Sequence, residues 1–139
     1  MNTKVKSFCR GVDLGPFRRH VILLVGDMDK CLDAFAKSEQ LHPDKDLVSR
    51  VSARLKEGLE SYVKPLGIEF GEGGDSYIYL PEWNSEVFVH EAYHATHDIL
   101  KYTYVEDPNG EVGARLIGYI FEKFCRSDIM DKKMKEKLK

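Results

Sequence analysis

His90-Glu91-Ala92-Tyr93-His94 sets two imidazoles and a carboxylate at the spacing H-E-x-x-H. On a helix, residues four apart lie one above the other, so both imidazoles point the same way and can share one Zn²⁺. Glu91 projects about 100° further round the turn, where it reaches a water on the metal and not the metal itself. A Lewis-acid metal, a polarised water and a carboxylate base together make a hydrolase centre. These residues lead us to expect a zinc-dependent peptidase, with Zn²⁺ as cofactor and a peptide or protein as substrate.

The motif needs a helix to carry it. From Asn84 to Lys101 the apolar residues Val87, Phe88, Ala92, Ala95, Ile99 and Leu100 recur near the helical period. Asn84 or Ser85 can cap the amino end, and Glu86 suits a first turn where the helix dipole is positive. Pro81 precedes the cap, Asp107-Pro108-Asn109-Gly110 is a turn beyond the far end, and no proline or glycine interrupts the span.

Catalytic zinc usually takes three protein ligands and leaves the fourth position to water. His97 shares a face with His90 and His94 but lies roughly 10 Å along the axis from His90, at about 1.5 Å per residue. Zn–N bonds of about 2.1 Å cannot span that distance. His97 is therefore expected one turn behind the metal, as a wall or an orienting neighbour, and Asp98 reads the same way. Glu111 is the stronger third ligand. It opens a second apolar-periodic stretch with Val112, Leu116, Ile117, Ile120, Phe121 and Phe124, for which Asn109 is a natural cap. A tight turn between the two helices makes an antiparallel or crossed pair, across which Glu111 could face the His90/His94 surface. The plainer reading of Glu111 is an exposed first-turn glutamate favoured by the helix dipole.

His90-Glu91-x-x-His94 followed by Glu111-x-x-Ala114 resembles the gluzincin branch of the zincin metallopeptidases, which carry HExxH on one helix and a glutamate ligand on the next. Val89 to Ala95, with Glu111-Val112-Gly113-Ala114-Arg115-Leu116-Ile117-Gly118-Tyr119-Ile120, is similar to short metallopeptidases encoded by phages and prophages. The resemblance covers roughly residues 77–125. It implies His90, His94 and Glu111 as metal ligands and Glu91 as general base. The spacer before Glu111 is shorter than in the large gluzincins, and Gly110 stands where they usually have asparagine. The resemblance also implies an α+β, small zincin-like domain: a short antiparallel or mixed sheet packed on the HExxH helix, with further helices.

An oxyanion donor is a further need of such a site. Tyr93, Tyr102, Tyr104 and Tyr119 are candidates, each otherwise a packed aromatic with a wet hydroxyl. Arg115, one turn after Glu111, could serve the same role or orient Glu111. The alternative function is a catalytically silent zincin-fold module for binding or host interaction, of phage origin; an intact Glu91 speaks against it. A structural zinc would fill all four positions with Cys and His, and no cysteine is near the motif.

At 139 residues the chain suits one domain, 1–139, with residues 1–16 and 128–139 as tails that can fray. A formal charge of −2 makes no case for nucleic acid or membrane. Cys9, Cys31 and Cys125 are odd in number, widely spaced and without CxxC pairing, as for reduced thiols in the cytoplasm. No secretory signal or membrane span is expected, because the run Val21–Val25 is too short for either. That run reads instead as a buried strand. Helices follow from Asp27 or Asp29 to about Ser38, and from about Asp44 to Val63. Short strands at Ile68–Phe70 and Tyr77–Leu80 flank Gly71–Asp75 as a hairpin. By the resemblance Tyr77–Leu80 is a candidate edge strand that pairs with substrate backbone; the alternative is an ordinary core strand. Gly71-Glu72-Gly73-Gly74 matches no nucleotide-binding loop. His20 and His42 read as structural or solvent-facing, and the lysines from Lys132 to Lys139 as a charged tail.

Overall fold

The computed structural model describes residues 7–61 and 66–125. The lysine-rich tail and the end expected for the second helix, at Val63, lie outside the described residues. Four strands, β1 (Phe8–Asp13), β2 (His20–Val25), β3 (Ile68–Glu72) and β4 (Asp75–Leu80), form one mixed sheet in the order β1-β2-β4-β3. β1 runs antiparallel to β2, β2 parallel to β4, and β4 antiparallel to β3. Helices α1 (Met28–Ala36) and α2 (Lys45–Ser61) lie between β2 and β3 in the chain; α3 (Ser85–Tyr102) and α4 (Glu111–Cys125) follow β4. The chain is thus α+β, with helices on both faces of a four-stranded mixed sheet.

Strand alternation builds the two cores. Val21, Leu23 and Val25 of β2 and Ile78 and Leu80 of β4 pack with Phe88, Ala92, Ala95, Ile99, Leu116, Ile120 and Phe124 of α3 and α4. The intervening Ile22, Leu24, Tyr77 and Tyr79 pack with Cys31, Phe35, Val51 and Leu55 of α1 and α2, and with Ile68 and Phe70 of β3. A continuous apolar run such as Val21–Val25 is what a strand covered on both faces requires. Among the described residues no helix is long and apolar enough to cross a membrane.

Local signals explain the helix ends. Asp27 accepts from Lys30 N at 3.1 Å, Asp44 from Leu47 N at 2.7 Å and Asn84 from Val87 N at 3.1 Å, so each caps its helix. Three expectations are corrected. The segment 1–16 is not a frayed tail throughout, because Phe8–Asp13 is fully paired with β2 and Gly15–Phe17 forms a single 3-10 turn. Tyr77–Leu80 is not an edge: β4 is flanked on both sides, because its backbone pairs in parallel with β2 and the hairpin returns β3 along its other side. β3 is the strand left at the edge on the side of the hairpin. The cap of α4 is Asp107 and not Asn109, for its two carboxylate oxygens accept from Val112 N at 3.0 Å and Gly113 N at 2.8 Å.

Asp107→Ala should therefore cost about 1 kcal/mol of stability in urea unfolding. Asn109→Ala should cost nothing measurable. Equal losses would return the cap to Asn109.

Candidate metal centre

Helix α3 buries Phe88, Ala92, Ala95 and Ile99 against the sheet and leaves His90 and His94 exposed on its outer face. Glu91, between the two faces, is buried at 8% exposure. The Nε2 atoms of His90 and His94 stand 3.2 Å apart, with ring centroids 4.8 Å apart and ring planes 79° from parallel. Two Zn–N bonds of about 2.1 Å at a tetrahedral angle put their nitrogens about 3.4 Å apart. The pair therefore fits two neighbouring positions of one zinc ion. Glu91 is next to these positions without being one of them.

Both histidines and Glu91 line a cleft of about 820 Å³, bounded by α2 (Arg54, Glu57, Gly58), β3 (Ile68, Glu69, Phe70) and the first half of α3. Gly67 lets the chain pass close over the helix. A Cβ there would stand 2.7 Å from Val87 Cγ1, 2.8 Å from Leu80 Cδ2 and 3.1 Å from Glu91 Cγ. In β3, Ile68 and Phe70 point to the α1/α2 core, which turns Glu69 to the α3 side.

Burial raises the Glu91 carboxyl above its ordinary value, and His90 and His94 pull it down again. A base raised by burial keeps more affinity for a proton than an exposed glutamate has. Glu69 is pushed up to about 8, first by burial and then by a hydrogen bond with Asp98; the Ser76 hydroxyl, which donates to it at 2.7 Å, opposes the rise. Burial also pushes the thiols of Cys9 and Cys31 up to about 12, so neither offers a thiolate near neutral pH.

The other expected residues lie elsewhere. Glu111 does not join the histidine pair: its side chain is 68% exposed and pairs with Arg115 Nη2 at 2.9 Å, one turn along α4. Among the described residues no group of three His, Cys, Asp or Glu side chains stands ready to hold a metal ion. The donors present thus fit two of the three protein ligands of a catalytic zinc. The physical reason is the seating of α4. Gly113 packs beside Thr96 and Leu100, late in α3, which places the start of α4 at the carboxyl half of α3 and not at the turn that carries His90. His97 lies with Tyr93 at a centroid distance of 4.5 Å, and both line a second cavity of about 470 Å³ between α3 and α4. Tyr93 also touches His94, ring to ring, at 5.9 Å. Asp98 faces β3, and the Tyr119 hydroxyl donates to the Asp13 carbonyl at 3.3 Å, far round the fold from the cleft. Tyr102 lies under Arg19 at 4.5 Å, and Tyr104 is 93% exposed.

Glu69, Gly67 and Arg54 were missed in the sequence. Glu69 carried a signal: it is a charged residue set between the two buried apolar residues Ile68 and Phe70. Arg54 carried none, because a helix surface position says nothing of the strand edge it will meet.

Glu69 also sets a pH dependence. Its folded pKa lies above the unfolded value of about 4.3, so its contribution to stability is full below that value and is lost as pH rises toward about 8. Between about pH 5 and pH 8.5 the urea midpoint of the wild type should fall more than that of Glu69→Gln. Parallel profiles would show that the folded chain does not hold this proton.

Compared with known proteins, the chain matches no family model, no curated protein and no solved structure.

Proposed function

We propose that the chain is a zinc-dependent metallopeptidase, with His90 and His94 as metal ligands and Glu91 as general base. The observation that carries this reading is the 3.2 Å approach of two exposed Nε2 atoms beside a buried glutamate in one cleft. Bound zinc would supply Lewis acidity toward the attacking water and the scissile carbonyl. Glu91 takes the proton of that water at its carboxylate and returns it to the departing amine. Its burial raises its proton affinity, and the adjacent imidazoles keep the ionised form accessible. Glu111 as third ligand rests on the resemblance alone. Its pairing with Arg115 gives it no support.

Elemental analysis of purified protein is the direct test. About one zinc per chain is expected in the wild type, with loss in His90→Ala and His94→Ala. Glu91→Gln should keep the metal and lose turnover by about two orders of magnitude or more. Zinc retained in Glu111→Ala would place the third donor elsewhere, and a wild type that takes up no zinc would end the metallopeptidase reading.

A further inference from the structure

β3 is an edge strand of the sheet, with no further strand paired to it among the described residues, and the cleft runs along it. The hairpin decides which backbone groups face outward. Glu72 and Asp75 flank the two-residue turn Gly73-Gly74, whose φ values of 62° and 89° suit glycine. Glu72–Asp75 is then a hydrogen-bonded pair, and bonded and non-bonded pairs alternate from there. Phe70 and Ile68 bond across to Tyr77 and Tyr79, whereas Glu69 and Gly71 turn their N–H and C=O groups to the open edge. One of these groups is taken, since Arg54 Nη1 donates to the Gly71 carbonyl at 3.2 Å. Arg54 thus closes the usable edge after the Gly71 N–H.

Helix α3 gives the scale. A Cβ at Gly67 would meet Glu91 at 3.1 Å and one at Gly71 would meet Asp98 at 3.8 Å, so β3 and α3 pass each other in the same direction. His94, midway between Glu91 and Asp98, is level with Glu69. Gly71 and Arg54 lie two residues further, about 7 Å at about 3.3 Å per residue.

Charge indicates what belongs at that end. Of the described residues lining the cleft, Arg54 is the one lysine or arginine, against Glu57, Glu69, Glu86 and Glu91. Among the described residues its polar contacts, to Gly71 O and to Glu72 Oε2 at 3.5 Å, use Nη1, in a guanidinium with five donors. The group rests over the Phe70 ring at 5.1 Å, and Glu72 is shared with Arg50 Nε at 2.9 Å. At the Gly71 end of the cleft, Arg54 is thus the described side chain that favours a carboxylate.

We propose that Arg54 is a positioning residue that holds the free carboxylate at the end of an extended peptide laid on β3. The peptide runs parallel to β3. Glu69 N–H bonds to the carbonyl of one residue, Glu69 C=O accepts from the residue two further on, and Gly71 N–H meets the terminal carboxylate of that second residue. A longer chain would need the Gly71 carbonyl that Arg54 occupies. The cleft accordingly works on the last few residues of a chain and not on its interior. This inference rests on the peptidase reading, which is tested separately by zinc content.

The probes are an amino-terminally fluorescein-labelled hexapeptide of alternating threonine and valine, as free acid and as carboxyl-terminal amide. Each is titrated by anisotropy against zinc-loaded Glu91→Gln, which binds without cutting. The free acid should bind about tenfold more tightly, the order expected of one charge-assisted hydrogen bond. Adding Arg54→Met, which keeps the aliphatic stem, should bring the ratio to about one, while Arg54→Lys should restore part of it. A ratio near one in Glu91→Gln, a ratio that survives Arg54→Met, or no binding of either peptide would overturn the anchor. Zinc bound at the histidines in any of those cases would leave the peptidase reading standing.

Discussion

Helix α3 lies against the sheet through Phe88, Ala92, Ala95 and Ile99, all at 1% exposure or less. The spacing of four, three and four residues keeps these side chains on one stripe of the helix. Two of them are alanines, so the helix axis comes close to β4 and β3 with nothing larger between. That contact determines the azimuth of every other residue on α3. His90 and His94 must then look outward, and Glu91, one position from Ala92, must lie on the boundary. A rotation by one residue would bury an imidazole and expose a phenylalanine, at a cost of several kcal/mol.

The cleft follows from the same contact and from the end of the sheet. β3 lies on the outside of β4, with α2 on one side and α3 on the other, and its outer edge runs along the cleft, where Arg54 meets the Gly71 carbonyl. Its alternation sends Ile68 and Phe70 into one core and Glu69 toward α3. Glu69 and Glu91 are thus brought into a layer where burial disfavours their charged forms, with Asp98 hydrogen-bonded to Glu69. A divalent cation at the histidine pair would relieve that crowding.

Much of this arrangement was legible in the sequence because it is written in short-range terms. The apolar run Val21–Val25, the helix starts at Asp27, Asp44 and Asn84 and the glycine-rich turn of the hairpin each act within a few residues. The helical period around His90 and His94 likewise needs only local geometry to bring two nitrogens together. Where the choice lay between neighbours of similar type, the sequence was less decisive. Asn109 and Asp107 are both good caps, and only the path of the turn shows which carboxylate or amide reaches Val112 and Gly113.

Questions of what lies beside what were decided by tertiary packing. Tyr77–Leu80 and Ile68–Phe70 are both short apolar strands, and which one becomes the edge depends on β2 pairing with β4 across the intervening helices. Glu111 begins its helix as the sequence implies, yet the packing of Gly113 against Thr96 and Leu100 places that start at the carboxyl half of α3 and not at the turn that carries His90. Arg54 meets the Gly71 carbonyl only because α2 crosses beside that edge. By itself the sequence determined the two-histidine helix, its buried stripe and the placement of a carboxylate between them, since all three obey the 3.6-residue period. The third dimension decided which strand edge, which glutamate and which arginine share the cleft, because those neighbours come from contacts between distant segments that no local spacing records.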